Sequence, residues 1–468
     1  MTYDFAIIGG GSAGLSLAAA FSQFGEKVVL FEKSEMGGDC LNSGCIPSKS
    51  LIAAAKFAHA QRSSAPYGVA AVNPKVDYAK MMAHVQRVIA TIEPHDSQTR
   101  FEKMGVTVVR AHATFISARS LIAADQTYTA RKIVIATGSR ASVPPIPGLK
   151  DVPYLTNETL FKNKIMPSHL IIIGGGPIGL EMAQAHCKLG CKVTVLEAFV
   201  PLAKDDPELA AVVQEALRGE GVDIRSKVQI SEVKSIKKLI RVTLQDGSVI
   251  DGSHLLVAAG RAPNIEGLNL EAGGVAFTKQ GITVDASLRT TNHHVYAAGD
   301  VAGGLQFTHV AGYHAGLIIR NALFRLPIKN RTDIIPWVTY TDPELAHVGL
   351  SEIEARKLHG DSIKVLRWNF TENDRAQTEG KTKGLVKIIV GKRGVILGAG
   401  IVGSGAGELI AAWVLAVTNR MKISAFANVV LPYPTLSEAG KRAAITNYAG
   451  LARKPFLRRV LGILKLLG

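Results

Sequence analysis

The fold is decided by Phe5-Ala6-Ile7-Ile8-Gly9-Gly10-Gly11-Ser12-Ala13-Gly14, a short apolar strand that runs into a glycine-rich turn. A helix of small residues is predicted over Leu15–Phe24, and a second strand over Lys27–Phe31 ends at Glu32. Glycines in such a turn let the backbone approach a pyrophosphate, and the helix N-terminus stabilises its negative charge. The acid that ends the second strand can accept a hydrogen bond from a ribose hydroxyl. This segment therefore predicts a dinucleotide site.

The same plan occurs a second time along the chain. The strand Leu170–Ile173 leads into Gly174-Gly175-Gly176-Pro177-Ile178-Gly179, a helix follows, and the strand Lys192–Leu196 ends at Glu197. In both copies the acidic residue lies 23 positions after the first glycine. One such motif alone is a weak indication, because a glycine turn without a ligand has the same pattern. Two copies, each inside a strand, turn, helix and strand, predict two dinucleotide sites.

A pair of cysteines follows the first of these motifs, in Gly37-Gly38-Asp39-Cys40-Leu41-Asn42-Ser43-Gly44-Cys45-Ile46-Pro47-Ser48-Lys49. In a reducing compartment, closely spaced cysteines indicate catalysis or metal binding before structural stapling. Positions i and i+5 of a regular helix do not face each other, so a Cys40–Cys45 bridge needs irregular backbone, which the glycines and Pro47 supply. A helix N-terminus also lowers the pKa of a thiol. The pattern predicts a redox-active pair, and the alternative is two unrelated buried cysteines.

Two dinucleotide sites next to a dithiol imply one nucleotide that carries hydride and one that relays electrons to sulfur. A flavin is the natural relay, because it accepts a hydride and passes the electron pair on to sulfur. Glu197 is followed by Ala198-Phe199-Val200, with no Arg nearby to hold a 2′-phosphate. This favours NAD(H) over NADP(H) as the second nucleotide.

Composition limits the class of protein. The chain has 468 residues, 47% of them hydrophobic and 20% charged, as expected of an ordered globular protein with several domains. The formal net charge is +16, but Lys and Arg are scattered and no nucleic-acid signature is present. An acidic partner protein, an anionic cofactor or an anionic lipid surface explains this charge better.

Cys187 and Cys191, at i and i+4 of a predicted helix, are interpreted as packing residues. Because neither a signal segment nor a membrane-spanning apolar stretch is recognisable, we expect a cytoplasmic location.

The order of elements predicts an α/β protein with two Rossmann-like dinucleotide-binding domains and a C-terminal α+β domain. Strands at Lys132–Thr137 and Leu255–Ala259 close the two halves, and helices are expected at about Pro47–Gln61 and near Tyr78–Met104. The Pro-rich linker Pro144-Pro145-Ile146-Pro147 marks the first boundary. With the domain names that the family resemblance described next implies, the predicted division is an FAD-binding domain with the cysteines (1–147), an NAD(H)-binding domain (148–265), a central return segment to the FAD domain (266–335), a dimerisation domain (336–450) and a basic tail (451–468).

Six motifs stand in the order of a known family: GGDCLNSGCIPSK, ATGSR, GGGPIGLE, AAGRAPN, AAGDV and PTLSE. Over residues 1–450 the sequence closely resembles the FAD-dependent pyridine nucleotide–disulfide oxidoreductases, the group that holds dihydrolipoamide dehydrogenase, glutathione reductase and mercuric reductase. The retained first cysteine separates it from the soluble transhydrogenases. The resemblance implies a homodimer in which each active site takes its C-terminal segment from the partner subunit.

The resemblance also implies a role for each matching position. Cys45 would be the thiolate that faces the flavin, and Cys40 the interchange thiol that meets the substrate. Lys49 would lie beside the flavin ring, paired with Glu181. The other FAD positions implied in this way are Gly9, Gly11, Gly14 and Glu32 at the adenosine and pyrophosphate, Ala113, Thr137 and Gly138 on the adenosine side, Asp300 at the ribityl chain and Thr308 at the flavin. The implied NAD positions are Gly174, Gly176, Gly179, Glu197, Val228 and Gly260.

The C-terminal motif departs from part of the family. Lipoamide dehydrogenases and glutathione reductases have a histidine general base before its Pro-Thr, whereas Tyr433 precedes Pro434-Thr435 here and the orienting Glu438 remains. A phenol with a pKa near 10 is about one part in a thousand ionised at pH 7, whereas imidazole titrates at working pH. Mercuric reductases resemble the chain at this point but end in a vicinal cysteine pair, where this sequence reads Ile463-Leu464-Lys465-Leu466-Leu467-Gly468. Tyr433 is interpreted as a donor to a substrate sulfur, a gate or a packing residue, and His309 is the one other candidate base.

Residues 451–468 lie beyond the shared core and, from Pro455, are predicted to form a basic amphipathic helix. Its apolar face would carry Phe456, Val460, Ile463, Leu464 and Leu467, with Arg458, Arg459 and Lys465 away from that face. Such a helix suits an anionic membrane surface or a partner groove, and the alternative is that it packs on its own dimer.

These observations together predict an enzyme in which NADH delivers hydride to the flavin, Cys45 exchanges electrons with it, and Cys40 exchanges with a substrate disulfide. Flux in the opposite direction is equally compatible with the residues. The expected activity is that of a dihydrolipoamide dehydrogenase, with a disulfide or dithiol substrate on a lipoyl-bearing protein. The alternatives are a mercuric reductase, a reductase of another acceptor, and an electron-transfer flavoprotein docked to a complex or to the inner membrane face through its tail. Nucleic acid is not an expected partner.

Overall fold

The computed structural model describes residues 2–450 and 455–466. The chain divides into two compact units. The first unit consists of Met1–Phe199 with Gly221–Thr332, and the second of Val200–Glu220 with Asp333–Gly468. Within the described residues, no helix is both long and apolar enough to cross a membrane. Residues 451–454 and Leu467 of the predicted tail lie outside the described residues.

The first half of the first unit contains the first nucleotide motif and the cysteines. Its elements are β1 (Thr2–Ile8), α1 (Ser12–Gln23), β2 (Val28–Phe31), α2 (Gly38–Asn42), α3 (Cys45–Arg62), α4 (Tyr78–Ile92), α5 (Gln98–Lys103), β3 (Thr107–Val109), β4 (Thr114–Ser117), β5 (Ser120–Ala123), β6 (Gln126–Ile135) and β7 (Ser139–Ala141). The single helix predicted near Tyr78–Met104 is wrong, because Pro94 lies in a 3₁₀ turn that separates α4 from α5. Proline cannot donate a helical hydrogen bond and breaks the helix there.

The following segment contains the second nucleotide motif and the connection to the second unit. Its elements are α6 (Asn157–Leu160), β8 (His169–Ile173), α7 (Pro177–Lys188), β9 (Lys192–Glu197), α8 (Pro207–Gly219), β10 (Asp223–Ser226), β11 (Ile230–Ile236), β12 (Leu239–Leu244), β13 (Val249–Gly252), β14 (His254–Val257) and β15 (Arg261–Pro263). Cys191 lies outside α7, not on it as predicted, because the helix ends at Lys188 before Gly190, whose φ is +101°. Cys191 is buried, as a packing residue would be.

The return segment contains few regular elements. They are β16 (Phe277–Thr278), β17 (Gly281–Ile282), β18 (Val295–Ala297) and α9 (Thr308–Phe324). It completes the first sheet, whose strand order is β3-β2-β1-β6-β5-β4 with β18 also paired to β6. Strands β3, β2, β1, β6 and β18 are parallel, and β4 and β5 are antiparallel additions. The second motif forms the parallel sheet β10-β9-β8-β14. These two sheets confirm the predicted α/β class with two Rossmann-like folds.

Burial explains why the parallel strands are so apolar. Both faces of the first sheet are buried, one against helices and the other against β4, β5 and the return segment, so its parallel strands carry continuous apolar runs. Phe5 on β1 and Phe21 on α1 are fully buried and stack with ring centroids 3.7 Å apart. The strands predicted to close the halves end two residues early, at Ile135 and Val257. The next residues in each case leave the sheet and pack against the glycine turn of the motif.

The second unit is built on one antiparallel sheet with order β19-β20-β23-β22-β21. Its remaining elements are β19 (Trp337–Thr339), β20 (Glu344–Gly349), α10 (Glu352–His359), β21 (Lys364–Asn369), α11 (Asp374–Thr378), β22 (Leu385–Val390), β23 (Ile396–Gly403), α12 (Ala406–Thr418), α13 (Ile423–Asn428), α14 (Glu438–Thr446) and α15 (Pro455–Leu464). Helix α8 packs on β20 and β23. The buried Lys387 on β22 lies 2.8 Å from carboxylate oxygens of Asp206, Glu208 and Glu352.

Candidate active site

The first glycine turn is shaped by contacts that exclude side chains. Gly9 has φ +111°, and a Cβ there would lie 2.3 Å from the Ala136 carbonyl oxygen. A Cβ on Gly14 would lie 1.8 Å from the Gly9 carbonyl oxygen, so only glycine lets α1 pack this close to the strand. Glu32 accepts hydrogen bonds from Gly10 N at 2.7 Å and Ser34 N at 2.6 Å. The acid therefore faces the turn and the start of α1.

The second turn repeats this geometry closely. Gly174 also has φ +111°, a Cβ there would meet the Ala258 carbonyl oxygen at 2.4 Å, and one on Gly179 would meet the Gly174 carbonyl oxygen at 2.0 Å. Glu197 accepts hydrogen bonds from Gly175 N at 2.6 Å and from Phe199 N at 2.8 Å. A Cβ on Gly176 would have no atom within 4 Å, so space remains in front of the helix N-terminus. This arrangement fits a pyrophosphate in both copies.

The two cysteines lie at the start of α3 and one short helix before it. Cys40 is in α2, Cys45 begins α3, and both are free thiols. The Cys45 Sγ lies 3.4 Å from the hydroxyl of Thr308, the first residue of α9. Hydrogen bonds from Cys40 and Thr308, together with the charge of Lys49, lower the pKa of Cys45 to about 6, although desolvation opposes them. The hydrogen bond to Cys45 and burial raise the pKa of Cys40, so the arrangement favours a Cys45 thiolate beside a Cys40 thiol.

Lys49 and Glu181 form an ion pair beside this dithiol. Lys49 lies one turn after Cys45 on α3, and its Nζ is 2.9 Å from Oε2 of Glu181 on α7. Glu181 is buried, so the pair holds the ammonium in a defined position. The structure thus brings together both halves of this predicted pair.

Asp39, directly before Cys40, is held by a network that the sequence analysis did not include. Its carboxylate accepts hydrogen bonds from Ser43 Oγ at 2.7 Å and from Asn157 Nδ2 at 2.9 Å. Arg261 Nη2 lies 2.9 Å from the other oxygen of this carboxylate. Asp39 and Arg261 both stand inside motifs quoted from the sequence, GGDC and AAGRAPN, but their separation along the chain gave no indication of contact.

Arg261 also connects this network to Asp300. Its guanidinium donates to the hydroxyl of Ser139 at 2.7 Å and to the Ser139 carbonyl oxygen at 3.0 Å. The Ser139 hydroxyl in turn donates to Asp300, a mainly buried residue in the 3₁₀ turn that follows β18. Burial raises the pKa of Asp300, while the Ser139 hydrogen bond and the Arg261 charge oppose that shift. Asp300, the predicted ribityl position, and Asp39, the neighbour of the predicted interchange cysteine Cys40, are therefore linked through one guanidinium.

The remaining predicted positions of the first unit line the two nucleotide folds. Ala113 is buried beside the first sheet, and the Thr137 hydroxyl donates to the Asn264 carbonyl oxygen at 2.7 Å. Gly138 and Gly260 have φ of +67° and +123°, and a Cβ on either would meet nothing within 4 Å. The Val228 amide donates to the Glu197 carbonyl oxygen at 3.1 Å. The two glycines therefore leave open space at the carboxyl ends of the closing strands.

The C-terminal motif belongs to the second unit. The Tyr433 ring is 68% exposed, and its hydroxyl donates to Asp374 Oδ2 at 3.0 Å. This hydrogen bond and the Asp374 charge raise the pKa of Tyr433, so an even smaller fraction of this phenol is ionised and able to accept a proton at neutral pH. Glu438 is the first residue of α14. His309, the other candidate base, is exposed and stacks on Phe307 with ring centroids 5.2 Å apart.

Two nucleotide folds and a dithiol with one activated sulfur define a flavoprotein of the disulfide-exchanging class. Comparison with known families places the chain more narrowly. Residues 3–315 match the pyridine nucleotide-disulphide oxidoreductase family, and residues 335–444 match its dimerisation domain. The chain belongs to this family of FAD-containing, NAD(P)-dependent oxidoreductases, and the dimerisation domain indicates a homodimer.

Similar proteins in this family differ in their substrates. The chain is 36% identical to the mercuric reductase of Shigella flexneri over 461 residues, which covers 94% of this chain and 80% of that protein. It is 32% identical to the dihydrolipoyl dehydrogenase of Bacillus subtilis over 458 residues, covering 96% and 99%. Among solved structures, the Cu(II) complex of the HOCl-induced flavoprotein disulfide reductase RclA from Escherichia coli has TM-score 0.85 at 29% identity, and LpdA from Mycobacterium tuberculosis has 0.87 at 28%. The RclA and LpdA comparisons each cover 94% of this chain and 99% of the other.

Proposed function

We propose that the chain is an NAD(H)-dependent flavoenzyme that reduces a substrate disulfide of the lipoyl type through Cys40 and Cys45. The observation that carries this proposal is the asymmetry of the two sulfurs, with the pKa of Cys45 lowered to about 6 and that of Cys40 raised. In thiol–disulfide exchange the attacking group is a thiolate, and a thiol of lower pKa is the better leaving group. Cys45 is therefore suited to be the sulfur that exchanges with the flavin, whereas Cys40 has to lose its proton before it attacks a substrate. Thr308 and Lys49 supply this asymmetry at Cys45.

Bound FAD would supply hydride acceptance from NADH and electron transfer to sulfur. This chain's residues would do the rest. Lys49, fixed by Glu181, stabilises negative charge on the sulfur of Cys45. Cys40 releases its proton to solvent and attacks the substrate disulfide, and the substrate sulfur that leaves takes up a proton. Cys45 then attacks the mixed disulfide, which restores the Cys40–Cys45 bond and releases the second substrate thiol. Overall NADH and one proton reduce one disulfide to two thiols.

For the nicotinamide nucleotide we propose NAD(H). Glu197 ends β9 with its carboxylate facing Gly175, the place where the family's ribose acid stands. A carboxylate accepts a ribose 2′-hydroxyl and repels a 2′-phosphate. The segment after it, Ala198-Phe199-Val200, contains no cation.

We propose Tyr433 as the proton donor to the leaving substrate sulfur. In the family's homodimer the C-terminal segment would meet Cys40 of the other subunit. A phenol whose pKa is raised by Asp374 keeps its proton at neutral pH, so it suits donation during disulfide reduction better than proton removal from a dithiol. This supports NADH-driven reduction as the direction of flux.

A second candidate is reduction of a metal ion, and the same tyrosine favours it. A metal ion bound by the reduced dithiol needs no imidazole base, and Tyr433 is exposed and bonded to Asp374. Mercuric reductases are among the similar proteins, and RclA was solved with Cu(II). In this alternative the electron pair of NADH would reduce the bound ion in place of a disulfide.

The test is anaerobic turnover of the purified holoenzyme with NADH and either lipoamide or Hg(II), in the wild type and in Cys40→Ser. The Cys40→Ser variant should retain FAD and NADH-dependent flavin bleaching but lose lipoamide turnover, because the sulfur that meets the substrate is gone. Cys187→Ser is the matched control and should behave as the wild type. Lipoamide turnover that survives in Cys40→Ser would overturn the relay, whereas turnover with Hg(II) alone would favour the second candidate.

A further inference from the structure

Helix α15 lies outside the residues that match the family. The two family segments cover residues 3–315 and 335–444, and α15 spans Pro455–Leu464. The dimerisation segment thus ends before this helix begins. Any role for α15 must therefore be inferred from its own residues.

The described part of the chain does not cover the apolar face of this helix. Phe456 is 74% exposed, Ile463 60% and Leu464 55%, and no residue of the helix is buried. With Val460, these residues stand at i, i+4, i+7 and i+8, the spacing of a single helical face. An uncovered apolar stripe of this kind marks a contact surface.

The charged side chains in and around α15 are all positive. Arg458 and Lys465 stand seven positions apart, so they share the side of the helix away from the apolar stripe. Between positions 439 and 468 the sequence has seven basic residues and no acidic one; the basic ones are Lys441, Arg442, Arg453, Lys454, Arg458, Arg459 and Lys465. Two of these residues, Lys441 and Arg442, lie on α14, the helix before α15. Lys441 is partly buried and Arg442 is exposed.

We propose that α15 lies in the surface of an anionic phospholipid bilayer, with its apolar face in the acyl boundary and its cations at the headgroups. Helices that bind membranes in this way combine an apolar face of Phe, Leu and Ile with a face of Lys and Arg. The cations also extend beyond the helix along the chain, which suits a surface of diffuse negative charge better than a groove with fixed ion-pair partners. The net charge of +16 adds attraction of the same sign.

The test is co-sedimentation of the full-length holoenzyme with vesicles of phosphatidylcholine alone or with about 30% phosphatidylglycerol, at low and high salt. One variant, Arg458→Gln/Arg459→Gln/Lys465→Gln, removes charge and keeps the apolar face. A second, Phe456→Ser/Ile463→Ser, removes apolar area and keeps charge. The matched control, Lys237→Gln/Lys238→Gln/Lys279→Gln, removes three exposed cations far from α15 in sequence.

The wild type and the control should bind the anionic vesicles at low salt, dissociate from them at high salt, and not bind vesicles of phosphatidylcholine alone. The charge variant should bind roughly 100-fold more weakly, since each cation near an anionic surface contributes a factor of about five. The apolar variant should also detach. All variants should keep wild-type NADH-dependent flavin reduction in solution, because α15 is not part of the proposed active site.

Wild-type binding by either α15 variant, or no vesicle binding by the wild type, would overturn the proposal. So would conversion of the dimer to monomer in these variants, because α15 would then pack on its own protein.

Discussion

Arg261 Nη2 lies 2.9 Å from Asp39 Oδ2, so a residue that follows the second nucleotide fold holds the residue that precedes Cys40, the proposed interchange thiol. The same guanidinium donates to Ser139, which donates to Asp300. The charge of Asp39 raises the pKa of both cysteines, and the ion pair with Arg261 fixes where that charge stands. The position of Asp39 therefore bears directly on how the dithiol ionises.

Replacing Arg261 by Ala should slow disulfide turnover, mainly through kcat, and move the pH dependence of Cys45 ionisation upward. The reason is that the unpaired Asp39 carboxylate would oppose a thiolate more strongly. Steady-state kinetics across pH checks both effects. Arg140→Ala is the matched control. Arg140 lies on β7, the antiparallel partner of the strand β15 that begins with Arg261, and it pairs with Glu266 and not with Asp39. An equal effect of both substitutions would mean that Arg261 serves the ladder alone.

The reactivity of Cys45 should follow its lowered pKa. In the dithionite-reduced holoenzyme, alkylation of Cys45 by iodoacetamide should rise with pH through about 6 and then level off, because the thiolate is the reactive form. Thr308→Val removes one of the hydrogen bonds that lower this pKa and should shift the midpoint to higher pH. Mass spectrometry of the labelled peptides gives the rates, and Thr446→Val in the second unit is the control. A midpoint near that of an ordinary thiol in the wild type would contradict the proposed asymmetry.

Tyr433→Phe should lower lipoamide reduction by about 10²-fold, the low end of what a positioned acid contributes, while NADH still reduces the flavin at the wild-type rate. Asp374→Asn should instead move the alkaline limb of the kcat profile to lower pH, because the Asp374 carboxylate is what raises the pKa of Tyr433. Stopped-flow flavin reduction and steady-state kinetics separate the two half-reactions. Tyr448→Phe is the control. Full lipoamide activity in Tyr433→Phe would exclude proton donation by this residue.

Glu197→Gln should raise the KM for NADH by about tenfold and narrow the preference over NADPH, because the negative charge that discriminates against a 2′-phosphate is lost. The glutamine can still accept one of the two backbone hydrogen bonds that hold the Gly175 turn. Glu32→Gln is the matched variant at the first turn and should reduce FAD retention instead. If Glu197→Gln and Glu32→Gln had the same effect on both nucleotides, the assignment of the two sites would be wrong.

Lys387→Met should destabilise the second unit by about 3–5 kcal/mol. The substitution leaves Asp206, Glu208 and Glu352 close together without the buried cation that all three contact at 2.8 Å. Urea unfolding of the holoenzyme at one fixed protein concentration measures the change. Lys383→Met, at an exposed position, should stay within about 0.5 kcal/mol of the wild type.

The same cluster should make the wild type sensitive to acid. Burial opposes ionisation of Glu352, but hydrogen bonds from Lys387 and Arg356 hold its pKa at about 2, below the ordinary value of 4.5. A carboxyl whose pKa is lower in the folded state contributes stability above its ordinary pKa and loses it as pH falls toward the folded value. The wild type should therefore lose stability between about pH 4.5 and 2. Lys387→Met should lose less there, because its Glu352 keeps only the pairs with Arg356 and Arg367 and its pKa is lowered less.

Much of the fold could be predicted because its requirements are local. A turn that admits only glycine between a strand and a helix, with an acid at the end of the next strand, has to appear as a fixed spacing in the sequence. Gly9, Gly14, Gly174 and Gly179 meet that requirement in the structure, since a Cβ on any of them would overlap a backbone atom. The break at Pro94 was also present in the sequence, but the helical pattern on both sides of it concealed the interruption.

The sequence by itself determined the two nucleotide folds, the cysteine pair and the family, because each depends on residues that are neighbours along the chain. Only the tertiary structure decided which groups surround them. Arg261 meets Asp39 across 222 positions, and Asp374 meets Tyr433 across 59. No spacing rule relates residues brought together by the packing of separate elements. The charges that tune the dithiol and hold the proton of Tyr433 therefore became visible only once the chain was folded.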